Sequence, residues 1–256
     1  MCTMSIIRTR DDVLRIAFNR DELITRPAAL APRIERFGDH QAILPRDSHA
    51  GGTWIAANEA GLVLGLLNMN ESTVSRAFSP CADAQRSWAK SPSHASISRG
   101  TIIPRLLQAT SAAEAIDLAS GVDTTNFAAF RLIAVDRDFL GELIHSDRDT
   151  QCRVRPLDAT TMFTSSGLGD HLVRHARARL FEEMVESNPT AMGQDAFHRH
   201  RWADRPHLSI DMSRTDARTV SFTTIELHAC FVAMTYCDQN VRRARVQIPS
   251  KDAVLA

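Results

Sequence analysis

The chain has 256 residues, 44% of them hydrophobic and 23% charged, with 30 basic residues balanced by 30 acidic ones. That length carries one substantial core, so a single domain spanning 1–256 is expected. The zero net charge argues against gripping nucleic acid or an anionic membrane, both of which need a basic surplus. No apolar run approaches a bilayer span, the longest being Leu62 to Leu67, and no signal peptide is predicted. The cysteines, Cys2, Cys81, Cys152, Cys230 and Cys237, are odd in number and widely spaced. They predict free thiols in a reducing compartment, taken as the cytoplasm, rather than a disulfide framework.

In chain order, Cys2 to Ile7 and Val13 to Phe18 read as two strands joined by the polar turn Arg8 to Asp12. The imperfect alternation fits strands buried on part of both faces. Pro27, Pro32 and Pro45 are expected to break any long element in the connection that follows. Gly51 to Asn68 then reads as a second hairpin turning at Asn58 to Gly61. Residues 71–97 read as a loop carrying Cys81 and Trp88.

Two helices are predicted next, one presenting Ile102, Ile103, Leu106 and Leu107, the other opening at Ser111 with Glu114 at capping-box spacing and stopping at Gly121. Phe130 to Val135 and Phe139 to Ile144 form a third hairpin. A third helix is predicted from Asp170, with Leu172, Val173, Ala176, Leu180 and Met184 on its apolar face. Thr219 to Leu227 and Ala229 to Tyr236 alternate as an antiparallel pair, and the tail from about 238 is expected to be loosely ordered. Hairpins separated by helical blocks favour an α+β fold of antiparallel sheets with helices packed on them.

Familiar catalytic motifs are missing. There is no phosphate-cradling GxxxxGK[ST] and no GxSxG elbow, and Gly167-Leu168-Gly169 reads as a helix-entry turn. His198, His200, Asp204 and His207 are interleaved with arginines that would repel a cation, so no metal site is predicted.

Cys2 carries the chemistry. Removal of Met1 would give one residue both a thiol and an α-amine titrating near pH ~8, so that nucleophile and base coincide. The hairpin returns its second strand beside the first, which brings Asn19, Arg20 and Asp21 close to Cys2. An acid there can accept from the amine, and an arginine can hold a substrate carboxylate or lower the thiol pKa. A solvated turn explains the same four residues equally well at this stage.

Cys2, Asn19-Arg20-Asp21-Glu22, Arg26-Pro27, Gly51-Gly52-Thr53-Trp54 and the strand ending at Asn68 resemble the NRDE, or transport and Golgi organisation 2, family. Ser98-Arg99-Gly100 is a softer match. That family is similar to N-terminal-nucleophile (Ntn) hydrolases, so the resemblance implies a four-layer αββα sandwich with two antiparallel sheets between helical layers. It also implies Cys2 as nucleophile and base, Asp21 on the α-amine, Arg20 as a catalytic partner, and Asn68 or Asn70 near the oxyanion. Asn19, Trp54, Asn70, Ser166 and Arg214 are expected to line the substrate site. The amidases of the wider superfamily carry an arginine three residues before the acid, where this chain has Phe18. They also use a later asparagine for the oxyanion, where this chain has Thr164-Ser165-Ser166-Gly167.

Two functions follow from the resemblance. One is a cysteine amidohydrolase cleaving a linear amide or acyl bond, a C–N bond other than a peptide bond, through a thioester, with no cofactor required. The other is a non-catalytic carrier with haem or a lipid or acyl-CoA as ligand.

Overall fold

The computed structural model describes residues 2–69, 97–146, 149–239 and 243–251. β1 (Cys2–Arg8) turns into β2 (Leu14–Leu23) at Asp12, whose φ of 56° lies in the left-handed region that aspartate tolerates. β2 does not stop at Phe18. It pairs with the chain-distant β11 (Ala217–Leu227) from Leu14 to Leu23, so Asn19 to Glu22 is strand rather than turn. A partner nearly 200 residues away overrides the local polarity of that stretch.

The prolines do not prevent strands either. β3 (Leu30–Phe37) and β4 (His40–Arg46) occupy the connection, with β3 at a sheet edge and Pro32 inside a register shift between Leu30 and Arg33. An edge position and an irregular register are where a strand tolerates a residue without an N–H. The second and third hairpins form as expected, as β5 (Ile55–Asn58) with β6 (Val63–Asn68) and β7 (Phe130–Val135) with β8 (Phe139–His145). β9 (Thr150–Pro156) and β10 (Thr160–Thr164) follow, then β12 (Phe231–Asp238) pairs with β11. The expected loose tail is corrected in part: β13 (Arg243–Pro249) adds an edge strand to β12. Most of the expected loop at 71–97 falls outside the described residues.

All pairings are antiparallel. One sheet has the order β10-β1-β2-β11-β12-β13, the other β3-β4-β5-β6-β7-β8-β9. Met4, Ile6, Ile16 and Phe18 of the first face Ile55, Val63, Leu67 and Ile133 of the second in one buried core. α1 (Ile102–Leu106) and α2 (Ala112–Ser120) cover the outside of the seven-stranded sheet, burying Ile103, Leu106 and Ile116 against Leu64 and Leu132. Ser111 caps α2 by accepting from the Glu114 N–H at 3.2 Å.

α3 (Asp170–Phe181), its π-helical continuation Glu182–Glu186, and α4 (Ala191–His198) cover the six-stranded sheet. The result is a four-layer αββα sandwich. α3 buries Val173, Arg177 and Phe181, whereas Leu172 is exposed. The apolar stripe read from sequence is therefore rotated, because the centre of the buried face is an arginine. Among the described residues no helix is long and apolar enough to cross a membrane.

Candidate active site

Cys2 begins β1, which lies between β10 and β2, and stands opposite Arg20 in register. Its backbone nitrogen donates to Ser165 Oγ at 3.1 Å, and Ser165 N–H donates to the Cys2 carbonyl at 2.9 Å. This reciprocal pair ties Cys2 to the end of β10 and aims its nitrogen at a hydroxyl. The side chain joins the inter-sheet core with Met4, Phe18 and Trp54, and only 5% of Cys2 is exposed. Burial pushes the thiol up and the Asp21 charge adds to this, while the chain's positive α-ammonium, the Asp21 N–H and the Arg20 guanidinium oppose it.

Alternation along β2 gives Phe18 and Arg20 the same face, the face of Cys2. Arg20 Cζ lies on that face 4.2 Å from the centre of the Trp54 ring. Asp47 fixes it, accepting from Arg20 at 2.6 Å and from Arg26 at 2.9 Å, and Glu22 lies 3.4 Å from Arg20. Burial raises the Asp47 carboxyl, but Arg26, the Ala50 N–H and Arg20 outweigh it and hold the group below its ordinary range.

Asn19 and Asp21 lie on the helix-covered face. Asn19 donates to the carbonyls of His198 and Ile210 at 2.8 and 3.0 Å, and its oxygen meets His198 Nδ1 at 3.0 Å. With Asn19 Nδ2 engaged in donating, its oxygen accepts from His198 Nδ1–H, which leaves Nε2 to accept from Ser5 Oγ at 2.7 Å. His198 is held neutral, its pKa lowered to about 3 by burial and by Arg15 and Arg177. Asn19 therefore fastens α4 to β2. The sequence placed His198 in a solvated cluster, yet it is 1% exposed. Among the described residues no group of three or more His, Cys, Asp or Glu is placed to hold a metal.

Asp21 accepts from Thr219 Oγ1 at 2.6 Å. Burial raises its pKa to about 6, against the opposing pull of Arg177 and Thr219. Arg177 is fully buried and donates to Thr3 and Thr164 Oγ1 at 2.9 and 2.6 Å, and to the Leu208 and Ser209 carbonyls. Thr3 follows Cys2 and Thr164 precedes Ser165, so one guanidinium ties together the strand ends that carry Cys2 and Ser165.

Ser166 joins the entry of α3, its N–H donating to Asp170 at 2.7 Å and its Oγ accepting from Leu168 N–H. Within Thr164 to Gly167 it is Ser165 that meets Cys2. Asn68 ends β6 opposite Phe130, on the strand face of Leu64 and Leu66, and among the described residues no hydrogen bond joins it to Cys2. Arg214 pairs with Asp216 at 3.1 Å before β11. Asn70 lies outside the described residues.

Arg99 was quoted in a motif but given no role. Its segment is clipped to the Gly51-Gly52-Thr53-Trp54 stretch: Thr53 N–H donates to the Gly100 carbonyl at 3.0 Å, and a Cβ on Gly52 would lie 2.5 Å from the Gly100 carbonyl carbon. The two sequence motifs meet through a pair of glycines. Ser165, Asp47 and Arg177 were also missed, and only Ser165 had a signal, as a member of the tetrapeptide already set opposite the oxyanion asparagine.

A family model described as Transport and Golgi organisation 2 matches residues 1–234. The chain is similar in structure to a Caenorhabditis elegans N-acylethanolamine-hydrolyzing acid amidase ortholog, at TM-score 0.55 and 11% identity, covering 87% of this chain and 92% of that one. It is also similar to a variant of the conjugated bile acid hydrolase of Clostridium perfringens, at TM-score 0.51 and 10% identity, covering 95% and 92%. At such identities these likenesses concern the fold. A comparison with curated proteins found no match.

Proposed function

This chain belongs to the Transport and Golgi organisation 2 family, and from that premise we propose that Cys2, freed of Met1, is the nucleophile of an amidohydrolase acting on small linear amides. The observation that carries the reading is the Cys2 nitrogen aimed at Ser165 Oγ, with Arg20 on the sulfur's own face. While Met1 is attached that nitrogen is an amide. Its removal makes it an amine already provided with an acceptor, and an amine titrating near pH ~8 is a competent base at neutrality.

In the proposed reaction the thiol proton passes to the α-amine as sulfur attacks the amide carbonyl. The ammonium returns that proton to the leaving nitrogen, so the C–N bond breaks and a thioester with Cys2 remains. Water then attacks the thioester, its proton taken by the amine, and the carboxylic acid leaves as sulfur recovers a proton. Arg20 lowers the energy of the thiolate formed on the way. Asp21 and Arg177 hold the strand ends in place, and Asp21 receives the charge of the α-ammonium.

The test is amine release from a panel of N-acyl amides by wild type, Cys2→Ala and Ser165→Ala. The reading expects turnover that Cys2→Ala abolishes and Ser165→Ala reduces. Equal release by wild type and Cys2→Ala refutes it. A second reading, a haem- or lipid-binding carrier with Cys2 as a contact thiol, is favoured by the deep burial that raises the thiol pKa. It expects haem titration to give a spectral shift that Cys2→Ala changes.

A further inference from the structure

The charges around Cys2 are not evenly paired. Three guanidinium groups surround it: Arg20 on the sulfur's own face, Arg26 joined to Arg20 through Asp47, and Arg99 in the segment bonded to Thr53 beside Trp54. Two carboxylates stand with them, Asp47 and Glu22, and both are committed to Arg20 and Arg26 at 2.6 to 3.6 Å. On the opposite face Asp21 feels the positive charges of both Arg177 and the chain's α-ammonium. Among these guanidinium groups Arg20, Arg26 and Arg177 have a carboxylate set against them, whereas no carboxylate among the described residues forms an ion pair with Arg99.

Arg99 is half-buried, and its one hydrogen bond among the described residues goes to a neutral carbonyl, Ala129 O at 2.9 Å. No carboxylate among the described residues forms an ion pair with it. That Ala129 carbonyl also accepts from Met69 N–H at 3.1 Å, so Arg99 sits at the end of β6 and β7, at the margin of the seven-stranded sheet. Burial lowers its pKa, and the two groups whose charge favours its protonated form are Cys2 and Glu22. A guanidinium does not deprotonate, so a partly desolvated one with no ion pair among the described residues is a standing electrostatic cost that an anion would relieve. The glycine contact and the Thr53–Gly100 bond hold the segment rigidly enough for that cost to be kept.

We propose that Arg99 is the anion-binding residue of the Cys2 site, and that the ligand reaching this thiol carries a carboxylate or phosphate group. Arg20, the arginine the sequence suggested for a substrate carboxylate, is already satisfied by Asp47 and Glu22; the position left for an anion is Arg99. The inference rests on Cys2 being the reacting group of the proposed amidohydrolase, and it narrows the substrate class to anionic acyl compounds.

Alkylation of Cys2 by iodoacetate and by the neutral iodoacetamide tests this without requiring turnover or loss of Met1. In both reactions sulfur displaces iodide, forming a carbon–sulfur bond while the thiol proton leaves to solvent, so the reagents differ in charge. The ratio of their rates is read at Cys2 by peptide mass spectrometry and normalised to N-acetylcysteine. Wild type should favour iodoacetate, and Arg99→Met should lower the ratio roughly tenfold, the order expected for one unit charge acting at short range in a partly screened site. Arg99→Lys, which keeps the charge, should retain most of the preference.

A normalised ratio of one or below in wild type overturns the proposal. So does an unchanged ratio in Arg99→Met, or failure of both reagents to reach Cys2. If Arg99→Met does not fold, loss of the wild-type preference in high salt supports the proposal, and a salt-independent preference overturns it. An amide panel that shows no turnover while the iodoacetate preference stands would sink the hydrolase reading and leave the anion site intact.

Discussion

Gly51 and Gly52 are adjacent, yet alanine should be costly at them for different reasons. At Gly52 a Cβ would sit 2.5, 2.7 and 2.8 Å from the carbonyl carbon, oxygen and Cα of Gly100. All three are backbone atoms, so no side chain can swing aside, and the segment bearing Arg99 must move. Overpacking of this kind costs about 1–3 kcal/mol. Loss of the Thr53–Gly100 hydrogen bond adds about 1 kcal/mol, for a total of roughly 2–4 kcal/mol. At about 2–4 °C per kcal/mol for a chain of this size, Gly52→Ala should melt roughly 5–15 °C below wild type. At Gly51 nothing lies within 4 Å of the added Cβ, and the difficulty is a φ of +70°. Gly51→Ala should therefore lose only about 1–2 kcal/mol. Urea unfolding of both variants measures the difference, and Gly52→Ala should also lose the iodoacetate preference at Cys2. A Gly52→Ala variant no less stable than Gly51→Ala would refute the close-packing argument.

Asp21 titrates near 6 in the fold, up from 3.8. The folded state therefore holds the extra proton between those values, and stability falls as pH rises through that window. Asp21→Asn should remove this fall, on the order of 2–3 kcal/mol, in urea midpoints taken from pH 4 to 7. His198 acts with the opposite sign: its pKa is lowered from 6.5 to about 3, so the stability present above 6.5 is lost as pH falls toward 3. His198→Gln should flatten the acid limb of the same curve, and an unchanged slope would contradict the buried neutral imidazole. Arg177→Met should cost about 3–5 kcal/mol in urea by removing a buried charge from Asp21 and from the hydroxyls flanking Cys2. A loss below 1 kcal/mol would show that Arg177 braces nothing.

The architecture was legible wherever the signal was local. Asn58 to Gly61 and Asp136 to Asp138 turn hairpins through their own side-chain chemistry, and Ser111 announces α2. What local pattern could not show depended on distant partners. β2 runs on through Asn19 to Glu22 because β11 is there to pair with it. β3 forms despite Pro32 because an edge strand with a shifted register needs fewer donors, and Pro45 of β4 lies opposite that shift and beyond the residues paired with β5. α3 was misjudged by its face, since periodicity treats Arg177 as solvent-seeking when four oxygen acceptors wait for it inside. At the site the same limit holds. Cys2 could be singled out by position and Arg20 by resemblance, but the choice of Ser165 over Ser166 is set by the β1–β10 register. Arg99 stands apart only because Asp47, from another hairpin, joins Glu22 in pairing with Arg20 and Arg26.

The central claim is that Cys2 acts as a free N-terminal nucleophile. Intact-mass spectrometry of the purified chain, before and after exposure to an activated acyl donor, addresses it directly. The account predicts a mass lacking one methionine and a single acyl adduct on Cys2 that hydroxylamine removes and Cys2→Ala never acquires. Retention of Met1 throughout, leaving no α-amine on Cys2, would contradict it.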